Sequence, residues 1–289
     1  MVGRIMHPMR MLSWNVQWFL GLDGTVDVER VIGHARTLCD FDVLCLQEVS
    51  DNYPDLPGCD GADQAAAVAH LLPGFTTHFA PAVDELAPDG LARRRFGNLI
   101  ASRWPVAWTR QHALPYPHDD LSAAHPSMPR VALEALLLGP HGPIRVITTH
   151  LEYYVAAQRL AQAQGLVRLV AEGEAAARHP PAPDDAGGPF RARPQSVHTL
   201  LCGDFNCARG SDAYEALVAG GLVDAWRCVH ADAVQPPTFR LHEPDEDKPP
   251  IACDFVFASV SLTDRLLWAE TDSMTMLSDH QPVWVEVDL

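Results

Sequence analysis

Short apolar runs separated by polar stretches recur along the chain, and this pattern predicts a protein rich in β-strands. Strands are predicted at Met9–Val16, Phe41–Leu46, residues 74–80, Phe96–Ser102, Pro105–Gln111, Val131–Leu138, Ile144–Thr149, Val197–Cys202, Ala252–Phe257, Leu266–Thr271 and Val283–Val287. Helical spacing of apolar residues predicts helices at residues 27–38, Asp63–Leu72, residues 155–173 and Ser211–Ala219. Polar or Pro-rich loops are predicted at Asp51–Asp60, Asp84–Arg95, residues 112–129, residues 176–195 and Asp232–Pro250. No internal repeat or domain boundary is visible in the sequence, so we expect a single domain over residues 1–289.

One predicted strand ends in an abrupt change from apolar to polar residues, in the stretch Leu200–Asn206. Gly203 permits the backbone to turn there. Asp204 and Asn206 lie two residues apart, so they face the same side of an extended chain. A carboxylate and a carboxamide therefore meet at the carboxyl end of a strand, where α/β folds commonly place chemistry. An ordinary turn is the alternative, since Gly, Asp and Asn are common turn residues.

Polar residues break the apolar pattern at several other predicted strands. They end, interrupt or directly precede apolar runs, and they are Asn15, Glu48, Asn98, His150, Asp254, Asp279 and His280. Asp254 lies inside a strand pattern, and a buried carboxylate is costly unless it is paired. We therefore expect Asp254 to have a partner.

These side chains supply the functional groups of a metal-assisted hydrolase. Carboxylate and amide oxygens suit a hard divalent cation, Mg²⁺ or Mn²⁺, better than zinc. Histidines oriented by carboxylates suit proton transfer and the stabilisation of negative charge. A metal ion, a held water molecule and imidazoles are the components needed to hydrolyse a phosphate ester.

The charge balance is strongly acidic, with a formal net charge of −16 from 37 acidic and 21 basic side chains. Nucleic-acid affinity comes largely from Lys and Arg that neutralise phosphates. The balance therefore disfavours nonspecific binding of polyanions, although it leaves room for a local basic patch. Hydrophobic residues make up 47% of the chain, which is enough for a sizeable core.

Cysteine usage and the absence of targeting signals predict a cytoplasmic protein. The seven cysteines fit neither a disulfide framework nor a zinc pattern. Cys45, Cys202 and Cys253 lie in apolar runs and are expected to be buried, reduced thiols. Neither a signal peptide nor an apolar run long enough to span a bilayer is visible. The sequence gives no indication of an obligate protein partner.

Three consecutive arginines, Arg93, Arg94 and Arg95, directly precede the strand that carries Asn98. An arginine cluster beside a site can clamp a phosphate, whereas the alternative is a solvated run of charge. We predict that at least one of the three binds substrate phosphate. Other arginines that can supply local positive charge are Arg130, Arg191, Arg193 and Arg240.

Seven short motifs occur in order along nearly the whole chain. They are Ser-Trp-Asn at 13–15, Leu-Gln-Glu at 46–48, Gly-Asn-Leu-Ile at 97–100, Thr-His-Leu at 149–151, Gly-Asp-Phe-Asn at 203–206, Cys-Asp-Phe-Val-Phe at 253–257 and Ser-Asp-His-Gln-Pro at 278–282. Each is weak alone, but together they resemble the endonuclease/exonuclease/phosphatase superfamily, which has the deoxyribonuclease-I-like fold. One departure is Cys253-Asp254-Phe255, where many members have Ile-Asp-Tyr. The acidic balance is a second departure, and it disfavours a long nucleic acid as substrate.

The resemblance implies an α/β (α+β) fold, a four-layer sandwich of two packed, mostly antiparallel β-sheets with helices outside. It also implies an enzyme that hydrolyses phosphate esters with Mg²⁺ or Mn²⁺. Members of the superfamily cleave DNA, RNA, sphingomyelin, inositol phosphates and other phosphoesters. The shared chemistry does not choose among a nuclease, a phosphodiesterase or phosphatase of small molecules or lipid head groups, and a non-catalytic binding member.

The resemblance further implies roles for the residues on the metal side of the site. Glu48 is the expected principal metal ligand, with Asn15 and Asp279 near the same ion. Asp204 is expected to align or deprotonate the attacking water. Asn206 is expected to hold that water or a phosphate oxygen.

The histidines receive complementary roles from the same resemblance. His280, oriented by Asp254, is expected to contact the scissile phosphate and share in proton transfer. His150 is expected to stabilise the negative charge of the transition state or to assist the leaving oxygen. Asn98 is expected to support substrate binding.

Overall fold

Two six-stranded sheets form the centre of the computed structural model, which describes residues 8–118, 120, 122–182, 188–231, 233–243 and 247–289. The first sheet contains, in spatial order, Leu266–Thr271 (β11), Val283–Val287 (β12), Met9–Asn15 (β1), Val43–Asp51 (β2), Arg93–Ser102 (β4) and Thr76–Leu86 (β3). The second contains Val106–Ala113 (β5), Val131–Gly139 (β6), Gly142–His150 (β7), Thr199–Asp204 (β8), Asp254–Ser259 (β10) and Leu222–Asp224 (β9). The α-helices are Val28–Leu38 (α1), Gln64–Leu71 (α2), Ala156–Arg178 (α3), Asp212–Ala219 (α4) and Ala225–His230 (α5). Short 3-10 turns lie at Gln17–Phe19, Ser122–Ala124, Gly188–Phe190 and Val260–Arg265.

Three apolar clusters hold four layers together. The central cluster fills the space between the two sheets and includes Cys45 and Cys202. A second cluster packs α3 and α4 on the outer face of the second sheet, through residues such as Leu166. The third packs α1 and α2 on the outer face of the first sheet, around Trp14 and Ile32. The predicted four-layer α/β sandwich is therefore confirmed.

Strand pairing explains why the polar strand ends meet. β1 runs parallel to β2, with Asn15 opposite Gln47, and β7 runs parallel to β8, with His150 opposite Asp204. The antiparallel strand β10 places Asp254 opposite Asp204 as well. The other pairings among the described strands are antiparallel. Because parallel neighbours end at the same edge of a sheet, the polar ends of both sheets open on one side of the sandwich.

Several elements differ from the prediction. The predicted loop Asp84–Arg95 is instead a turn at residues 87–92 between the extended ends of β3 and β4. Helix α3 continues to Arg178, and β9 and α5 were not predicted. Residues 119, 121, 183–187, 232 and 244–246 of the predicted loops lie outside the described residues. None of the described helices is both long enough and apolar enough to cross a membrane.

Helix α3 owes part of its packing to two polar residues. Gln158 and Gln162 are buried, and their side-chain amides donate to the backbone carbonyls of Pro117 and Pro115. The predicted loop at residues 112–129 is therefore anchored on the helix at these two carbonyls.

Candidate active site

A cavity of about 300 Å³ opens where the polar strand ends meet. Six predicted side chains line it, namely Glu48, His150, Asp204, Asn206, Asp279 and His280. Two further predicted residues, Asn15 and Asp254, are buried behind these six. Asn15 hydrogen-bonds to Asp204, and Asp254 hydrogen-bonds to His280. The structure therefore brings eight of the predicted residues into one site.

Glu48 leaves the β2 ladder at a bulge. Its backbone φ is +61°, in a region that costs a non-glycine residue about 1–3 kcal/mol. The pairing of β2 with β4 changes register between Leu46 and Val49, which flank it. Asn15 Nδ2 donates to Glu48 Oε1 at 3.2 Å and to Asp204 Oδ2 at 3.0 Å. Asn15 thus ties together carboxylates that belong to different sheets.

The Asn206 amide fixes the tautomer of His150. Asn206 Nδ2 lies 2.9 Å from the Leu151 carbonyl oxygen and 2.9 Å from His150 Nε2. Asp204 Oδ2 also lies near Nε2, at the longer distance of 3.4 Å. Since an amide nitrogen only donates, the shorter contact to Asn206 assigns the acceptor role to Nε2 and the proton of a neutral His150 to Nδ1. Nδ1 is buried without a hydrogen-bond partner among the described residues, 3.7 Å from Glu48 Oε1. Burial and the charge of Arg130 lower the pKa of His150 to about 3, so this histidine is neutral at pH 7.

His280 is held between two aspartates. Its Nδ1 lies 2.8 Å from Asp254 Oδ2, and its Nε2 lies 3.6 Å from Asp204 Oδ2. Thr238 Oγ1 donates to Asp254 Oδ2 at 2.6 Å, and the Phe239 ring stacks on the imidazole with ring centroids 4.5 Å apart. Burial alone lowers the pKa of His280, but the charges of Asp254 and Asp204 outweigh it and raise that pKa well above its usual value. The buried Asp254 therefore has the partner that its position in a strand requires.

The carboxylates of Glu48, Asp204 and Asp279 converge on the cavity with too little positive charge to balance them. Burial and the charge of Asp279 raise the pKa of Glu48 to about 7. Burial, with a contribution from the charge of Asp204, also raises the pKa of Asp279. A divalent cation would offset this repulsion, and oxygen donors are those that Mg²⁺ and Mn²⁺ prefer. The residues present therefore fit the predicted metal ion.

A second group of potential ligands lies deeper in the protein. Asp204, Cys253, Asp254 and His280 are buried and offer ligand atoms within 4.8 Å of one another. Asp254 Oδ2, however, already faces both His280 Nδ1 and the hydroxyl of Thr238. An imidazole held by a carboxylate is an arrangement typical of proton transfer. The chemistry of this group favours proton transfer, whereas the chemistry around Glu48 favours a metal.

Arg130 is a buried cation in the cavity wall. It is 7% exposed, and its Nη2 lies 3.5 Å from Glu152 Oε2. Within the described part of the chain, its Nε and Nη1 have no hydrogen-bond partner. Burial lowers the pKa of Arg130, while the charges of Glu152, Glu48 and Asp204 oppose that effect. Two buried cationic donors without acceptors are suited to a phosphate oxygen.

Glu152 holds Arg130 and its surroundings in place. The Glu152 side chain is fully buried and accepts from the hydroxyl of Ser127 and from the backbone N–H of Tyr154. These contacts join the loop before β6 to the segment that leads into α3. Arg130 is therefore presented by a fixed scaffold.

The arginine triplet lies in strand β4 and not in the predicted loop. None of the three is among the described residues that line the cavity. Each forms an ion pair at 2.5–2.7 Å, Arg93 with Asp84, Arg94 with Asp55 and Arg95 with Asp51. Their guanidinium groups are thus engaged by neighbouring carboxylates, and their placement gives no support to the substrate-binding role predicted for them.

Asn98 also lies behind the cavity and not in its lining. It is buried in β4, and its Nδ2 donates to the carbonyl of Val131 at 2.9 Å. This hydrogen bond links the first sheet to the residue that follows Arg130. Asn98 is therefore placed to support the position of Arg130 without touching a substrate.

Several aromatic residues that line the cavity were not predicted from the sequence. Tyr153 and Tyr154 lie between the Thr-His-Leu motif and α3. Two adjacent tyrosines at such a junction were the sequence feature that could have indicated a place in the site. Phe239 carried no local signal, because it reaches the site through an isolated β-bridge to His280. Trp18 lies in the turn after β1, where its φ of +45° could not be foreseen.

The structure resembles solved structures from several bacteria. An endonuclease/exonuclease/phosphatase from Beutenbergia cavernae is 23% identical with a TM-score of 0.71, over 98% of this chain and 72% of that chain. A mannosyl-6-phosphatase from Bacteroides thetaiotaomicron is 18% identical with a TM-score of 0.67, over 97% of this chain and 100% of that chain. A 3′ phosphatase from Neisseria, bound to a product DNA hairpin, is 17% identical with a TM-score of 0.62, over 97% and 100% of the respective chains. At these identities the likeness shows the fold alone.

A comparison with curated proteins gave no significant match. The model of the Endonuclease/Exonuclease/phosphatase family, in contrast, matches residues 12–280, which include every residue described at the cavity. The chain therefore belongs to the Endonuclease/Exonuclease/phosphatase family, whose members are phosphoesterase hydrolases that depend on divalent metals.

Proposed function

We propose that the chain is a Mg²⁺- or Mn²⁺-dependent phosphoesterase that hydrolyses a phosphate ester by direct attack of water. One observation carries the proposal. The cavity combines a carboxylate cluster that needs a cation with a histidine held by aspartates and a buried arginine with free donors. These groups match the three requirements of phosphoryl transfer, which are charge neutralisation, proton transfer and positioning.

Glu48 and Asp279 would hold the metal ion, and Asn15 would fix the orientation of Glu48. The bound ion supplies Lewis-acid stabilisation of the charge that develops on the phosphoryl oxygens. The strained backbone of Glu48 is consistent with this role, because strain of this kind clusters at ligand-binding positions.

Asp204 is the general base for the attacking water in this proposal. Burial alone would raise its pKa, but the charge of His280 and a hydrogen bond from the Asn206 N–H keep that pKa below its usual value. The carboxylate is therefore ionised at pH 7 and can accept a proton as the water oxygen bonds to phosphorus. The bond from phosphorus to the leaving oxygen then breaks, and the leaving oxygen takes a proton from the protonated His280. The proton held by Asp204 then passes to His280, whose Nε2 lies 3.6 Å from Asp204 Oδ2, and both groups return to their starting states.

Two cations and one neutral donor face the phosphoryl group. Arg130 Nε and Nη1 and the Nε2–H of His280 donate to its oxygens, and the Nδ1–H of His150 donates to a further oxygen or to the leaving group. The Asn206 amide already donates to the protein, so only its Oδ1 remains to accept from the attacking water.

A small phosphate ester is a better substrate for this cavity than a long nucleic acid. Arg130 is the one arginine among the described lining residues, and the chain carries a net charge of −16. Polymer binding would require many more phosphate contacts from Lys or Arg. The names of the similar structures, a mannosyl-6-phosphatase and a 3′ phosphatase, show that this fold occurs in proteins named for the removal of a terminal phosphate.

A panel of phosphate esters tests the proposal. Plasmid, single-stranded oligonucleotide, sphingomyelin, inositol phosphates, sugar phosphates and bis-p-nitrophenyl phosphate are each assayed with Mg²⁺ and with Mn²⁺. We expect hydrolysis of at least one small ester and at least about a hundredfold slower turnover by Asp204→Asn, the usual effect of removing a proton-transfer group. Equal turnover by this variant and the wild type, or no hydrolysis of any ester, would contradict the proposal.

A further inference from the structure

Four rings form a continuous wall from the catalytic centre to the surface of the protein. Phe239 stacks on His280 with centroids 4.5 Å apart, and Tyr153 lies 6.3 Å from Phe239. Tyr154 follows at 4.7 Å from Tyr153, and His125 stacks on Tyr154 at 5.5 Å with nearly parallel planes. We call Phe239, Tyr153, Tyr154 and His125 the aromatic wall. Its members come from three separate segments of the chain, so tertiary structure assembles it.

Polar contacts hold the aromatic wall in position. Arg240 lies over the Phe239 ring at 4.5 Å from its centroid and donates a hydrogen bond to the Tyr153 hydroxyl. Its backbone φ is +58°, a strained value that its hydrogen bond to the Asp279 carbonyl helps to maintain. On the other side, Arg159 donates to the Tyr153 carbonyl. The Phe239 and Tyr153 rings are therefore held in place before a ligand binds, which lowers the entropic cost of binding.

The outer part of the wall is open to a ligand. Tyr154 is 50% exposed although it lines the cavity, and small-molecule sites are lined predominantly by apolar and aromatic side chains. His125 stacks on the Tyr154 ring and Tyr153 meets it nearly at right angles, so the ring is fixed between two neighbours while half of the residue stays exposed. A ring of a ligand can therefore contact the exposed part of Tyr154.

We infer that the alcohol esterified to the phosphate carries a ring, as a sugar or a nucleoside does, and that this ring packs on Tyr153 and Tyr154. The inference rests on the proposed function and specifies its substrate class. The wall begins at His280, which faces the phosphoryl group, so a ring a few bonds away from phosphorus reaches the tyrosines. Sugar and base rings share an apolar face that packs on aromatic side chains.

The test compares three primary-alcohol monophosphates, a nucleoside 5′-phosphate, a hexose 6-phosphate and glycerol 3-phosphate, and the methyl diester of each. Their leaving groups are chemically similar, so ratios of kcat/KM report recognition of the ring. We expect the better of the two ring substrates to exceed the glycerol compound by at least about tenfold, the scale of one aromatic contact. Preference for the nucleoside or for the hexose identifies which ring the wall accepts.

Variants locate this preference on the wall. Tyr153→Ala and Tyr154→Ala should each lower the ring-to-glycerol ratio at least fivefold, whereas Tyr154→Phe retains the ring and should retain the ratio. Trp268→Ala removes a similarly exposed aromatic that is not in the cavity lining and should leave the ratio unchanged. A wild-type ratio near one, or equal losses on all substrates in the alanine variants, would overturn the inference while leaving the proposed function intact.

A binding measurement separates failure of the inference from failure of the proposed function. If none of the esters is hydrolysed, calorimetric titration of the same three monophosphates into wild type and Tyr154→Ala still reports ring recognition. Tighter binding of a ring compound that Tyr154→Ala abolishes would support the wall as a ring site. Equal affinities for the three compounds would overturn it.

Discussion

Gly203 is the residue whose replacement should most directly couple the fold to the site. Its φ is +138°, and a Cβ added there would lie 1.9 Å from the carbonyl oxygen of Thr149 on the neighbouring strand. Thr149 precedes His150, and Gly203 precedes Asp204. The Gly203→Ala substitution should therefore push β7 and β8 apart where they carry these two catalytic candidates.

The expected loss of stability is the sum of three terms. A positive φ costs an alanine about 1–2 kcal/mol. Displacement of β8 from β7 weakens about two ladder hydrogen bonds, at about 1 kcal/mol each. Overpacking against backbone that cannot move freely adds about 1–3 kcal/mol. We therefore expect Gly203→Ala to lower the free energy of unfolding by about 4–7 kcal/mol, a large part of the stability of an ordinary domain.

Alanine substitutions at two other glycines measure the conformational and the steric contributions separately. Gly210 has a φ of +82° with no atom within 4 Å of an added Cβ, so Gly210→Ala should cost only the conformational term. At Gly97 an added Cβ would lie 2.0 Å from the Ala80 carbonyl oxygen, so Gly97→Ala reports close approach of two strands in the first sheet. Urea denaturation of the three variants gives the comparison. A cost for Gly203→Ala within about 1 kcal/mol of that for Gly210→Ala would refute the reasoning.

Three further predictions concern the site. Arg130→Ala should raise KM about tenfold or more in steady-state assays, because it removes charged hydrogen bonds to phosphate. The control variant Arg93→Ala removes an arginine that is paired on the surface, and it should leave KM within about twofold of the wild type. Asp254→Asn should lower kcat at least about a hundredfold, because the neutral amide no longer supports a protonated His280; an unchanged kcat would disprove that role. Because burial raises the pKa of Glu48 to about 7, the folded metal-free protein retains a proton there that the unfolded chain has released. The free energy of unfolding of the wild type, measured relative to that of Glu48→Gln, should therefore fall as pH rises from about 5 to about 7. The lowered pKa of His150 gives a slope of the opposite sign, which is common to both proteins and cancels in the difference. Thermal unfolding should also show stronger stabilisation by Mg²⁺ at pH 8 than at pH 5, and equal stabilisation would argue against Glu48 as a ligand.

The pattern of the chain predicts the layers and most of the candidate active site. The sequence reveals Asp204, Asn206 and His150 because each lies where a buried apolar strand ends. The change from apolar to polar residues at such a point can be recognised from neighbouring residues alone. Asp254 is visible because a carboxylate inside an apolar strand needs a partner. The order of the motifs along the chain then identifies the family, and membership of the family implies the fold.

Contacts between distant segments were not predictable in the same way. Arg130 and Arg93 look alike as residues beside strands, and only the tertiary structure shows that one is buried with free donors while the other pairs with Asp84. Phe239 lies in a polar loop without periodicity and reaches His280 through a bridge between segments 41 residues apart. The β3–β4 hairpin extends further than the sequence predicted, and the reason is again a contact between separate segments. Cross-strand pairs such as Asp84 opposite Arg95 override the local preference for a loop.

The central claim is that a divalent cation held by Glu48 and Asp279 completes the catalytic centre. The most direct measurement is the rate of hydrolysis of an accepted phosphate ester after treatment with EDTA, followed by titration with Mg²⁺ or Mn²⁺, for wild type and Glu48→Gln. We predict that EDTA abolishes hydrolysis, that either ion restores it, and that Glu48→Gln needs at least about tenfold more metal for half-maximal activity, the lower end of the effect of weakening a metal site. Full activity of the wild type in EDTA would contradict the claim.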